Sequence, residues 1–122
     1  MNKSRWKSKI KQACIDAGTY RDCFASVIDT LAGIMEMRDD ARKKYEEAGG
    51  EPVVIHTNKA GADNVVKNPA LVVIMDCNTQ ALAYWRDLGL TPAGLKRINE
   101  AAIKAREKEP SALEKALSKL NG

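Results

Sequence analysis

The chain has 122 residues, 44% of them hydrophobic but only 5% aromatic, which fits a single domain with a modest aliphatic core of the kind often completed by oligomerisation. No apolar run approaches the ~18 residues needed to span a bilayer, and the basic start lacks the hydrophobic stretch of a signal peptide, so a cytosolic protein is expected. The net charge of +4 is uneven: residues 1–21 carry six bases against one acid, residues 22–95 seven against eleven, and residues 96–122 seven against four.

The first predicted helix runs from Ser4 to about Ala17, where Trp6, Ile10, Ala13, Cys14 and Ala17 recur at spacings of three and four. Lys3, Lys7 and Lys11 then stack on another face, and Gly18 closes the helix. A second pattern opens at Thr19, read as an N-cap with Asp22 three residues on. It continues through Cys23, Phe24, Val27, Ile28, Leu31, Ile34 and Met35 to about Ala48. Its later turns are densely charged and are expected to project beyond the core before Gly49-Gly50 stops them.

Between Pro52 and Asn68 the period changes. Two β-branched runs, Val53-Val54-Ile55-His56-Thr57 and Val65-Val66-Lys67, flank a segment rich in Asn, Gly and Asp. A short β-hairpin and a mobile loop both fit, and an isolated hairpin would need to pack on something or on a neighbouring subunit. Asn68-Pro69 then reads as N-cap and first residue of a third helix, with Leu71, Ile74, Met75, Asn78, Leu82, Trp85 and Leu88 on its stripe. After Gly89, Thr91-Pro92 repeats that entry signal for a fourth helix turning Leu95, Ile98, Ala102 and Ala105 inward. A capping box at Ser111 to Glu114 opens a short amphipathic tail with Leu113, Leu117 and Leu120. The fold class is therefore mainly α: helical hairpins with a long second helix and a short β-hairpin or loop between helices 2 and 3. The expected division is a basic helix (1–18), a helical core and oligomerisation region (19–108, with the β-like excursion 52–68), and a short helix or tail (109–122).

No catalytic constellation is present: the chain has no P-loop, nucleophile elbow or HExxH, and its single histidine, His56, has no triad around it. No catalytic residue is assigned, and a non-enzymatic protein is expected. Cys14, Cys23 and Cys77 are odd in number and lack CxxC spacing, so they read as reduced, mostly buried thiols, with no metal site and no cofactor. The basic ends suit a polyanion, because each phosphate contact releases counterions; a plain solvated helix explains the N-terminal bases equally well.

Two templates fit the segment from Tyr84 to Ile98. Helix, glycine turn and helix is compatible with a helix-turn-helix presenting Lys96 and Arg97 to DNA. Trp85, four residues before the turn glycine, stands where that motif wants a small side chain, and favours a wider hairpin. The second template is a family. Lys67-Asn68-Pro69-Ala70-Leu71, then periodic residues, then Leu88-Gly89-Leu90-Thr91-Pro92-Ala93 and the basic Lys96-Arg97-Ile98 resemble the "NPAL" helix start and "LGLTP" turn of the phage terminase small subunit family. The order of elements is also similar, over about Tyr20 to Ile103.

That resemblance implies a ring-like homo-oligomer that recognises viral double-stranded DNA near the packaging start. It also implies regulation of a large subunit holding the ATPase motor and nuclease, in the cytoplasm of the infected bacterial host. The family motifs identify no base-reading residue. From the charge pattern, the candidate DNA-binding residues are Lys3, Arg5, Lys7, Lys9 and Lys11 on the first helix, with Lys96, Arg97 and Lys104 as a second set. A helix-turn-helix regulator, usually a dimer, is the alternative, and an adaptor without DNA contact is a third class.

Overall fold

The computed structural model describes residues 1–108, 117, 119 and 120. Helix α1 spans Lys3–Ala17, α2 spans Ala25–Glu47, α3 spans Pro69–Asp87 and α4 spans Pro92–Lys108; strands β1 (Val53–Thr57) and β2 (Asp63–Lys67) lie between α2 and α3. The mainly helical architecture and the excursion between the second and third helices match the expectation. The expected capping box from Ser111 to Glu114, with Leu113, lies outside the described residues.

Helix α2 is central, packing on α1 and on α3. A helix enclosed from two sides needs a broad apolar arc rather than a narrow stripe. Accordingly Leu31 and Ala32, neighbours in sequence, are both fully buried, along with Ile28 and Met35. Helix α1 adds Trp6, Ile10 and Cys14 to the same core, and α3 with its exit adds Ala81 and Leu88. Asn2 caps α1, its side chain accepting from the Arg5 N–H, and past the helix end the Thr19 N–H donates to the Cys14 carbonyl.

Three expectations are corrected. Thr19 is not the N-cap of the second helix, which is entered through a 3₁₀ turn over Asp22–Phe24. Thr19 is instead buried, and its hydroxyl donates to the Leu88 carbonyl at 2.7 Å, tying the end of α1 to the end of α3. On α3 the inward residues are Ile74, Cys77 and Ala81, whereas Met75, Asn78 and Leu82 are exposed. The start of α3 is apolar nearly all round, so periodicity permits more than one face. Close approach to α2 then selects the face bearing the small Cys77 and Ala81. On α4, Leu95 and Ile98 are half-buried, but every residue from Asn99 to Glu107 is exposed, so Ala102 and Ala105 do not face inward.

The excursion is an ordered antiparallel hairpin with Val53 opposite Lys67 and Thr57 opposite Asp63. Asn58 builds the turn, its side-chain oxygen accepting from the N–H groups of Ala60 and Ala62. Asn68 closes the base: its side chain accepts from the Ala70 N–H as the α3 cap and donates to the Glu51 carbonyl at 2.9 Å. Along both strands every residue but the half-buried Val54 is exposed, and Ile55 and Val65, paired across the strands, are each about 70% exposed.

The turn between α3 and α4 depends on two glycines. Gly89 has φ of 74°, a left-handed conformation that a Cβ disfavours. Gly94 sits where α4 crosses the end of α3, and a Cβ there would overlap the Arg86 carbonyl oxygen. The tight approach that a bulky Trp85 argued against is thus achieved within the first turn of the following helix, at Gly94.

Candidate nucleic-acid interface

The cations of α1 occupy three different environments. Lys3 and Lys7, one turn apart, both reach Asp29 of α2, with ammonium to carboxylate distances of 3.1 and 3.4 Å. Their hydrogen bonds and charges hold the Asp29 carboxyl below the usual carboxylate range. Lys9 lies over the Trp6 ring at 5.0 Å and Lys11 over the Tyr20 ring at 5.1 Å, both within cation–π range. Arg5 is exposed and makes no ion pair among the described residues. The five bases predicted from sequence therefore share one helix, but two are already matched to a carboxylate and two rest on aromatic faces.

The start of α1 is held by a second polar cluster. Asp39 Oδ2 accepts from the Trp6 indole N–H at 2.7 Å and from the Met1 amine at 3.1 Å, while Arg38 Nη2 donates to Oδ1 at 2.9 Å. Burial by itself raises the Asp39 carboxyl, but these hydrogen bonds outweigh it and hold the group below its ordinary value. Glu36 accepts from the Lys3 backbone N–H at 2.6 Å. Trp6 thus anchors α1 by its ring in the core and by its N–H on α2.

The second set of cations lies on α4. Lys96 is 4.0 Å from Glu100, an exposed pair one turn apart, and Arg97 and Lys104 are exposed with no ion pair among the described residues. Helix α4 touches α3 near their junction, with Gly94 against Arg86, and with Ile98 and Thr19 both beside Gly89. The two sets sit on separate helices, and no ion pair or hydrogen bond joins them among the described residues.

The remaining candidate chemistry is sparse. Cys14 and Cys77 are buried, and burial pushes both thiols up, with the Asp76 charge adding to the effect at Cys77. Cys23 is exposed, which corrects its expected place on the inward stripe of the second helix. His56 is exposed on β1. Among the described residues no three His, Cys, Asp or Glu side chains gather as a metal site would require, and no helix is long and apolar enough to cross a membrane. Sequence reasoning missed Asp29 and Tyr20. Neither belongs to a motif, and each matters only because α1 is packed on α2 and the turn before it.

These elements define a small helical subunit with exposed cations on its first and last described helices and unpartnered apolar side chains between them. A family model described as phage terminase, small subunit, matches residues 3–105. The chain belongs to the phage terminase small subunit family. The match takes in α1, which lies outside the motifs that carried the resemblance. In this family the ATPase and nuclease reside in the large subunit, and the terminase acts in the host cell during packaging. Neither a curated protein nor a solved structure matches the chain.

Proposed function

We propose that this chain is the DNA-recognising small subunit of a packaging terminase. In this reading it binds viral double-stranded DNA at the packaging start, assembles as a ring-like homo-oligomer and regulates the large ATPase and nuclease subunit, in the cytoplasm of the infected bacterium. It performs no catalysis itself. The observation that carries the reading is family membership across residues 3–105, a span that includes the cation-bearing α1.

Helix α1, with Lys3, Arg5, Lys7, Lys9 and Lys11, contacts backbone phosphates, while α2, α3, the hairpin and the start of α4 form the oligomerising body. Apolar side chains left outside the core support this division. Met37, Met75 and Leu82 are 57, 55 and 49% exposed, and Ile55 and Val65 of the hairpin are more so. Where such exposed apolar side chains adjoin, they mark an interface. A two-stranded hairpin is also marginal in isolation and gains stability against a neighbour.

The test combines binding with mass. Replacing Lys3, Arg5, Lys7, Lys9 and Lys11 by Gln weakens duplex DNA binding and flattens its dependence on salt, since each phosphate contact contributes about 0.9 to the slope of log K against log salt. Unchanged affinity and slope would move the site to Lys96, Arg97 and Lys104. That second location is favoured by the close α3–α4 approach at Gly94 and by the exposure of Lys96, Arg97 and Lys104. Light scattering separates the classes: a many-membered ring supports packaging, whereas a stable dimer favours a helix-turn-helix regulator.

A further inference from the structure

We propose that Lys7, Ser8 and Lys11, backed by Tyr20, form a seat for one phosphate group of bound nucleic acid, and that Asp29 is its built-in competitor. The proposal rests on the DNA-binding reading above and narrows it from a basic helix to a place on that helix.

A cleft of about 270 Å³ opens between α1 and the start of α2, lined by Lys7, Ser8, Lys11, Tyr20, Ala25 and Ile28. Lys7 and Lys11 are one turn apart and so share a face of α1, with the Ser8 hydroxyl adjoining them. Across the cleft lies Ala25, the first residue of α2, whose N–H is taken by the Asp22 carbonyl of the preceding turn. Ile28 is buried beneath the cleft, placing apolar surface rather than water behind the charges. The Tyr20 ring holds the Lys11 ammonium at 5.1 Å, which reduces the freedom that side chain would lose on binding.

Two other clefts have the opposite character. The larger one between α2 and α3 is lined by Glu36 and Asp40 against Lys44, and a third by Glu36, Asp39 and Asp40 against Lys43. The cleft at Lys7 and Lys11 has two lysines and no carboxylate in its lining. Asp29 on α2 is the acid paired with a seat lysine, at 3.4 Å from Lys7, and it is shared with Lys3. Exposed ion pairs are weak and screened by salt, so a phosphate offering more oxygens to both lysines displaces the carboxylate. Asp29 then stays paired with Lys3.

The experiment titrates duplex DNA into the full chain at several salt concentrations, with circular dichroism to verify helicity. Replacing Lys7 and Lys11 together by Gln is expected to weaken binding roughly tenfold, the scale of one lost charge-assisted contact. The salt slope should fall by about one. The Arg5→Gln, Lys9→Gln pair removes the same charge and is expected to lose clearly less. Ser8→Ala, which changes no charge, is expected to weaken binding a few-fold. Asp29→Asn is expected to tighten binding more than Asp16→Asn, which makes the same change of charge elsewhere.

Equal losses from the two base pairs, or no difference between Asp29→Asn and Asp16→Asn, would overturn the seat while leaving DNA binding intact. Absence of salt-dependent DNA binding by the unaltered chain would instead overturn the underlying reading. Inorganic phosphate at matched ionic strength supplies the last arm. If it perturbs the Lys7 and Lys11 amide resonances while the Lys7→Gln, Lys11→Gln protein binds DNA normally, the seat belongs to a free anion and the nucleic-acid assignment fails.

Discussion

Replacing Gly94 by Ala sets two effects of opposite sign against each other. Gly94 is the third residue of α4, and on intrinsic propensity alone Gly→Ala in a helix stabilises by up to about 1 kcal/mol. The structure reverses the sign. The new Cβ would overlap the Arg86 carbonyl oxygen and stand 2.9 Å from the Arg86 carbonyl carbon, and neither backbone atom can yield as a flexible side-chain tip would. Overpacking costs about 1–3 kcal/mol, and an overlap with rigid backbone belongs at the upper end, so after the propensity gain the net effect is destabilising by about 2 kcal/mol. Gly33→Ala, within α2, is the internal control. There the nearest atom to an added Cβ is the flexible Lys3 Cε at 3.8 Å, and stabilisation by about 0.5–1 kcal/mol is expected. Urea unfolding of both variants at matched protein concentration measures the difference directly. A Gly94→Ala protein as stable as the parent would show that α3 and α4 do not approach closely at this point.

Three further outcomes are expected. Thr19→Val keeps the shape of a buried side chain but removes the donor to the Leu88 carbonyl, costing about 1–3 kcal/mol in the same unfolding assay; a neutral effect would mean that the carbonyl finds another partner. Asp39 has a depressed carboxyl in the folded chain, so the stability it contributes is present at neutral pH and is lost as pH falls below the ordinary carboxylate value near pH ~4. Asp39→Asn should lose stability at neutral pH and flatten this acid limb, and an unchanged acid limb would rule out Asp39 as its source. A thiol reagent should modify Cys23 rapidly in the native protein, and Cys14 and Cys77 only on unfolding; mass spectrometry of the labelled peptides reads the order.

What the amino-acid sequence determined by itself is everything decided within a few residues. Asn68-Pro69 caps α3 because the Asn side chain needs only the Ala70 N–H, two residues away. The hairpin turn follows from Asn58 and the residues just after it, the stop of α1 from Gly18, and the arc of α2 from its own periodicity. The family too was legible, because its motifs are helix caps and turns. What only the tertiary structure decided depends on partners distant along the chain. Thr19 had the right chemistry for an N-cap, but a carbonyl 69 residues away takes its hydroxyl. Met75 and Leu82 matched the helical period as well as Cys77 and Ala81 did, and the closeness of α2 chose the small pair. The candidate interface divides in the same way. The row of Lys3, Lys7 and Lys11 is a matter of helical spacing, whereas Asp29, the Tyr20 ring and the cleft between them exist only because α1 lies against α2. Hydrogen bonds and rotamer preferences within one turn are specified locally; which distant group supplies a partner is settled by packing, where many weak contacts choose among faces that local chemistry leaves equivalent.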